Sequence, residues 1–146
     1  MIPFKLTVYG DPAPQGSKRH VGNGRMIEAS KKVGPWRRAV AEAVLFQYGH
    51  DFEPFDAPLE VETIFFLPRP STVKRPLPVV PPDLDKLERG LNDALVVAGV
   101  MRDDSLIIKS TSTKFYADLR DPGCEVEIRV IDFVPLAIDT PRKKLL

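Results

Sequence analysis

The stretch PPDLDKLERGLNDALVVAG, residues 81–99, contains a stiff start, a regular apolar pattern and a glycine at its end. Its leucines and alanines recur every three or four residues, which is the spacing of one face of a helix. Proline excludes a helix at positions 81–82, and Gly99 is a typical residue just beyond a helix end. The stretch therefore predicts an amphipathic helix over residues 84–98.

Strand patterns lie on both sides of this helix. Alternating or β-branched apolar residues mark four segments, at residues 4–9, 59–67, 106–116 and 125–130. An earlier helix is predicted from Pro35 to the glycine at position 49, with Trp36 in the core. The resulting order, β-α-β-α-β-β, predicts a single small α+β domain in which two helices cover a mixed sheet.

The composition is that of one ordinary globular domain. The chain has 146 residues, of which 43% are hydrophobic and 28% charged, and no apolar run approaches the roughly 20 residues of a membrane span. We expect one domain over residues 1–134 and a basic tail over residues 135–146. The first residues show no basic segment followed by an apolar core, so we expect no signal peptide and a cytoplasmic location.

Residue counts exclude several kinds of site. A single cysteine, Cys124, cannot form an intrachain disulfide or a cysteine-based zinc site, and the two histidines, His20 and His50, are too few for a histidine cluster. The sequence also lacks the glycine motifs of dinucleotide folds and P-loops and the serine motif of hydrolase elbows. Any metal site must therefore rely on carboxylates.

The charge is divided unevenly along the chain. Residues 1–38 hold eight basic and two acidic residues, a net charge of +6, whereas residues 39–68 hold six acids and no lysine or arginine. A basic segment of this kind suits a phosphate-binding surface, although a solvated basic surface is the alternative. Two predicted loops carry the candidate DNA-binding cations. These are Lys18, Arg19, Arg25, Lys31 and Lys32 in the loop over residues 10–35, and Arg69, Lys74 and Arg75 in the proline-rich loop over residues 68–82.

Two carboxylates stand where the central helix begins. Asp83 and Asp85 follow a proline-forced extended chain, in which residues two apart point the same way and can converge on one cation. Magnesium takes oxygen ligands and commonly one or two carboxylates. The alternative is structural: Asp83 as a helix cap and Asp85 as a first-turn acid facing the helix dipole.

A second acidic pair, Asp103-Asp104, follows the same helix. Both pairs lie at the ends of elements, where functional residues tend to gather, although aspartate is also a common turn former. Asp93, in contrast, lies opposite the leucine stripe and is expected to be a plain surface acid.

Asp83-Leu84-Asp85-Lys86-Leu87, then Asn92-Asp93-Ala94-Leu95, Gly99 and Asp103-Asp104, together resemble the signature of the RusA family of Holliday-junction resolvases. The resemblance is strong over residues 81–108 and looser but collinear elsewhere, the tail excepted. It implies a small dimeric endonuclease of a type that bacteriophages often encode, which cuts four-way DNA in recombination and repair using Mg²⁺ held by aspartates. It also implies a RusA-like fold.

Carried over by position, the resemblance makes Asp83, Asp85 and Asp104 the metal-binding catalytic residues, with Asp103 a weaker candidate. Two positions depart from the family pattern. Lys86 replaces an asparagine, and Arg89 replaces a functional lysine. Arginine keeps the positive charge but cannot deprotonate, so Arg89 can orient or neutralise a phosphate but cannot transfer a proton. Lys86, one turn earlier, can share this role and contact DNA.

These departures leave a second interpretation open, a branched-DNA-binding module of the same fold that does not cut. A third, an Asp-x-Asp metal site for nucleotide-sugar transfer, ranks lower because the chain is short and lacks a nucleotide-binding loop. For the resolvase, bound metal polarises the phosphate and lowers the pKa of bound water. The basic loops contact phosphates and set the register without reading bases.

A homodimer is expected for a resolvase, because two symmetric nicks match the two sites of a twofold dimer. The predicted helix over residues 84–98 is about 22 Å long, with Asp83 and Asp85 at its start and Asp104 beyond its end. An antiparallel partner helix would place the other chain's Asp104 beside Asp83. A shorter helix or a doubled-back loop would instead close the site within one chain.

Overall fold

The elements of the chain follow the predicted order, with one small addition. The computed structural model describes residues 2–15 and 31–132, and the backbone of residues 18–20 and 26–28. The elements are β1 (Phe4–Tyr9), β2 (Lys18–His20), β3 (Met26–Glu28), α1 (Val33–Tyr48), β4 (Leu59–Leu67), α2 (Leu84–Val97), a 3₁₀ turn (Asp104–Leu106), β5 (Ile107–Tyr116) and β6 (Gly123–Val130). The added feature is β2–β3, a short antiparallel hairpin inside the segment predicted as one long loop.

The main sheet has four strands in the order β1-β6-β4-β5. Strands β1 and β4 each pair antiparallel with β6, whereas β4 and β5 are parallel because α2 crosses between them. Alternate residues of β1, β4 and β6 are buried, so one face of the sheet packs on the helices and the other is open. The predicted α+β domain with a mixed sheet is confirmed.

The two helices lie against the buried face of the sheet. Helix α1 begins two residues before Pro35 and ends at Gly49, whose φ of 80° suits glycine. Its inward face carries Trp36, which is buried in the core as predicted. The apolar stripe of α2, from Leu87 to Leu95, is also fully buried. Burial of these two faces fixes where the ends of α2 lie relative to the sheet.

Gly90 brings the chain before the hairpin into contact with α2. A Cβ atom at Gly90 would collide with the backbone carbonyl oxygen of Ala13. One turn nearer the start of α2, the backbone N–H of Gln15 donates to the carbonyl of Lys86 at 2.9 Å. The absence of a side chain at position 90 therefore allows the segment that leads into the basic loop to lie on α2.

Replacing Gly90 with alanine is expected to destabilise the protein by about 1–3 kcal/mol, because the added methyl group displaces the Ala13 backbone. The sign is informative, since the same change in an open helix interior stabilises by up to about 1 kcal/mol. Denaturant unfolding measures the difference. Gly34→Ala in α1 is the matched control, because its nearest contact at 3.7 Å leaves room for a methyl group; equal stability changes in both variants would contradict the close approach.

The two edges of the sheet differ. The outer edge of β1 is covered by side chains from the end of α1. Tyr48 Oη accepts from the Lys5 N–H at 2.9 Å and donates to the Lys5 carbonyl at 2.8 Å. Gln47 does the same for Thr7, at 3.1 Å and 2.8 Å. Strand β5 forms the opposite edge, and no other described strand or side chain bonds to its outer backbone.

The C-terminal limit of the described chain agrees with the position of the last strand. The N–H of Ile131, just after β6, donates to the Pro58 carbonyl at 2.8 Å. The predicted tail over residues 135–146 lies outside the described residues, so its boundary stays a prediction. No helix in the described part of the chain is long and apolar enough to span a membrane.

Candidate metal and DNA site

Asp83 occupies the position before α2 without capping the helix. Its backbone is extended, with φ −68° and ψ 144°, and its carboxylate accepts no hydrogen bond from the first turn. The carboxylate instead lies 3.7 Å from Nζ of Lys86, and about half of the Asp83 side chain is exposed. The capping role considered for Asp83 is therefore absent, which leaves its oxygens accessible to a cation.

Asp85 lies in the first turn of α2 and is exposed. The partial positive charge of the helix N-terminus favours a carboxylate there whether or not a metal is bound. The described part of the chain offers Asp85 no ion-pair partner. Both carboxylates thus stand at one end of α2 with oxygens directed to solvent.

The loop that leads to Asp83 is held by Lys114 on β5. Its Nζ donates to the carbonyl oxygens of Val80, at 3.0 Å, and Pro82, at 2.8 Å. The sequence analysis missed this contact. The available signal was a lysine in step with Ser112 and Tyr116 on the face that the other strands bury. Lys114 therefore fixes the start of α2 relative to the end of β5.

A cavity of about 510 Å³ opens beside Asp83. Prolines from the proline-rich loop form much of its wall, and Asp11, Lys32, Arg75, Lys86 and Tyr116 bring polar groups to it. Lys32 also pairs with Asp11 at 2.6 Å. Three cations around one carboxylate give this cavity the charge that a phosphate requires.

Asp103 and Asp104 have different roles. Asp103 accepts hydrogen bonds from the backbone N–H and the hydroxyl of Ser105, and that hydroxyl, more than any other group, lowers the pKa of Asp103. These contacts make Asp103 a turn-forming residue. Asp104 begins the 3₁₀ turn, is exposed, and has no ion pair within the described residues. Of the two, Asp104 has the carboxylate available for another ligand.

One chain does not bring Asp104 to Asp83. The 14 residues of α2 separate them by about 21 Å along the helix axis. Strand β5 gives the same answer, because Lys114 holds the loop before Asp83 seven residues beyond Ile107, or about 23 Å. Accordingly, no group of three or more potential metal ligands forms within the described residues.

Comparison with known proteins places this geometry in a family. The family model described as "Endodeoxyribonuclease RusA" matches residues 10–129, well over half of the chain. The chain belongs to the RusA endodeoxyribonuclease family. It is therefore a DNA-cleaving hydrolase by family. The chain is also 26% identical over 141 residues to an uncharacterised protein, YqaN, of Bacillus subtilis (strain 168), an alignment that covers 88% of this chain and 96% of the relative.

Within this RusA-family chain, two of the candidate DNA-binding arginines have structural partners. Arg69 makes a two-pronged ion pair with Asp118, at 2.7 and 2.9 Å, which raises the pKa of Arg69 and lowers that of Asp118. Its guanidinium also lies 4.2 Å from the centre of the Tyr116 ring. Arg75 donates to the Tyr116 hydroxyl at 2.8 Å. Both arginines therefore brace the proline-rich loop.

The remaining RusA-family candidates fall into two groups. Lys74 and Arg89 are exposed, and neither has a hydrogen-bond or ion-pair partner in the described ranges. Lys31 and Lys32 directly precede α1. The side chains of Lys18, Arg19 and Arg25 lie outside what the structure describes, so their DNA contacts stay predictions.

Asp93 is not the plain surface acid that the helical pattern indicated. Its carboxylate accepts from Arg37 on α1 at 2.9 Å and also from the side-chain amide of Gln15. Arg37 in turn donates to Gln15 at 3.0 Å. The pattern failed because it defines only the face toward the sheet, whereas Asp93 faces the neighbouring helix. This family-motif aspartate therefore joins α1, α2 and the segment before the hairpin.

Proposed function

We propose that the protein is a magnesium-dependent resolvase that cuts four-way DNA junctions by paired, symmetric phosphodiester hydrolysis. The observation that carries the proposal is the RusA family match over residues 10–129. The accessible carboxylates of Asp83, Asp85 and Asp104 at the two ends of α2 support it. Such an enzyme acts in recombination and repair, in the cytoplasm of a bacterium or of a phage-infected cell.

The carboxylates suit a hard divalent cation. Magnesium prefers oxygen ligands, retains several waters and needs few protein carboxylates. Asp83 and Asp85 would supply ligands from one end of α2, and Asp104 from the other. When bound, the cation offsets the negative charge that develops on the phosphate during hydrolysis. The protein's part is to hold these oxygens in place, which the Lys114 contacts do for Asp83.

The separation of the carboxylates supports a homodimer with shared sites. At about 21 Å, the ends of α2 are too far apart to hold one ion. A second chain running antiparallel would bring its Asp104 to the first chain's Asp83, and the twofold axis would create two such sites. Two sites related by a twofold axis match the symmetry of a four-way junction cut on opposing strands.

The direct test is cleavage of a fluorescent four-way junction, with the matched linear duplex as control. We expect paired nicks in magnesium, none in excess chelator, and little cutting of the duplex. Tight binding without cleavage in magnesium would instead indicate the non-cleaving branched-DNA module. Failure both to bind and to cut the junction would overturn the proposal.

Arg89 is expected to act as a fixed positive charge beside the scissile phosphate. It lies four residues after Asp85, so its head reaches the same side of α2. Arg89→Ala should slow single-turnover cleavage by about a hundredfold, whereas Arg89→Lys, which restores the family residue, should stay within about fivefold of wild type. Junction affinity, measured on the same samples, should change little in either variant. Normal cleavage by Arg89→Ala would move the role elsewhere, first to Lys86.

The basic loop over residues 18–32 is expected to supply phosphate contacts. Replacing Lys18, Arg19 and Arg25 with alanine should flatten the slope of log K against log salt by about one unit per lost contact. Lys5→Ala is the control, because Lys5 lies on the open face of the sheet, paired with Glu127 at 3.5 Å. If the slope stayed at its wild-type value in the triple variant, the loop would be only a solvated surface.

A further inference from the structure

The two edges of the main sheet are treated differently by the rest of the chain. The β1 edge is closed by Gln47 and Tyr48, which bond to its N–H and carbonyl groups. The β5 edge runs for ten residues, the longest strand described, and its outer backbone groups have no partner within the described residues. A long open edge is a template for pairing with another strand.

The side chains of β5 suit pairing with a polar strand. Residues 109–114 read KSTSTK, and most of the strand is exposed. Serine and threonine opposite one another form favourable cross-strand pairs, whereas like charges directly opposite are unfavourable. Ser110 also accepts a link from α2, since it hydrogen-bonds with Glu88. Strand β5 and α2 therefore form one connected unit at this edge.

We infer that β5 pairs antiparallel with β5 of a second copy of this chain, with the twofold axis at Ser110. The inference rests on the proposed function, because it explains how two copies would complete the metal site. The sheets of the two copies then form one continuous eight-stranded sheet. Gln47 and Tyr48 leave β1 no equivalent way to pair.

The register follows from distances along β5. In an antiparallel pair centred on Ser110, Asp104 lies level with Tyr116 of the partner subunit. Asp104 is about 16 Å from the axis, and Tyr116 about 20 Å on the other side. Tyr116 lines the same cavity as Asp83, and Lys114 fixes the residue before Asp83. The pairing therefore carries Asp104 of each chain to the partner's Asp83.

The open face of the sheet sets the charges across this interface. Lys109 pairs with Glu60 of its own chain at 3.4 Å, so its side chain lies on the open face. Thr111 lies on the same face, beside Glu62. With the axis at Ser110, Lys109 lies opposite the partner's Thr111, and no two like charges face each other. An axis at Lys109 would instead oppose two lysines.

Cysteine cross-linking tests the register. Ser110→Cys should form a disulfide-linked dimer on mild oxidation, because the two Cα atoms lie within the roughly 7 Å that a disulfide spans. Ser112→Cys should not, since the two cysteines would be about 13 Å apart. Thr7→Cys on the closed β1 edge is the control. Native Cys124 does not compete, because it is fully buried and burial raises its thiol pKa.

Charge substitution at Thr111 tests the same interface without oxidation. Thr111→Lys places two new like-charge pairs against Lys109 and should weaken dimerisation about tenfold in sedimentation equilibrium. Thr111→Glu should strengthen it, and adding Lys109→Glu to Thr111→Lys should restore it. A simple folding effect has the opposite sign, since Glu62 attracts a lysine and repels a glutamate at position 111. Thermal unfolding of each variant records that effect separately.

The outcomes separate this inference from the proposed function. A dimer that cuts four-way DNA but shows no Ser110→Cys cross-link and no response to Thr111→Lys overturns β5 pairing and leaves the function intact. The same result with a cross-link between Ser110→Cys and the C-terminal tail would assign the edge to that tail. A cross-linked dimer that never cuts a junction overturns the function and leaves the interface.

Discussion

Each of the substitutions Asp83→Asn, Asp85→Asn and Asp104→Asn is expected to lower junction cleavage by about a thousandfold or more. Asparagine keeps the shape of the side chain and removes the charge that a divalent cation needs. Junction binding should survive, because it depends on the basic loops and loses only repulsion between acid and phosphate. Single-turnover cleavage and gel-shift affinity on the same junction measure the two effects.

The chain contains a matched control for these three variants. Asp103 adjoins Asp104, but its carboxylate accepts from the N–H and hydroxyl of Ser105. Asparagine can accept the same hydrogen bonds, so Asp103→Asn should cut at nearly the wild-type rate. Wild-type cleavage by any of the other three variants would remove that residue from the metal site. Loss of activity in Asp103→Asn alone would exchange the roles of the two neighbours.

Mixing two inactive variants is expected to restore activity. When Asp83→Asn and Asp104→Asn chains are unfolded and refolded together, half of the dimers contain one chain of each kind. A site shared between chains then carries both substitutions on one side and neither on the other. The mixture should nick a cruciform plasmid with about one quarter of the wild-type number of sites.

The product distinguishes this result from incomplete inactivation. A dimer with one intact site cuts one strand, so the plasmid should become an open circle and not a linear molecule. Refolded wild-type protein, which should give linear plasmid, shows that refolding succeeds. Each variant refolded alone should remain inactive. If the mixture also stays inactive, every site keeps one lesion, and the metal site is closed within a single chain.

Local patterns were sufficient for the elements of this fold. The leucine stripe of α2 and the alternation in β1 and β4 encode periodicity, which depends only on neighbouring residues. The predicted end of α2 was accurate to one residue, since Gly99 terminates it. The same patterns located Asp83 and Asp104 at opposite ends of α2, which is why the distance between them could be anticipated.

Contacts between distant residues could not be predicted in this way. Lys114 bonds to carbonyl groups more than 30 residues earlier in the chain, and Asp93 reaches Arg37 on another helix. Neither pairing leaves a local pattern, because each depends on which elements the sheet order places together. The position of β5 at an edge is of the same kind, and with it the route by which Asp104 approaches a partner.

The hydrogen bonds from Gln47 and Tyr48 to β1 determine how many copies can join. A sheet with two open edges can add a new copy at each end without limit, which produces ribbons and fibres. A sheet with one closed edge has a single place for a copy of itself, and that place is used up when the first copy binds. The end of α1 therefore terminates polymerisation and makes two the natural size of the assembly.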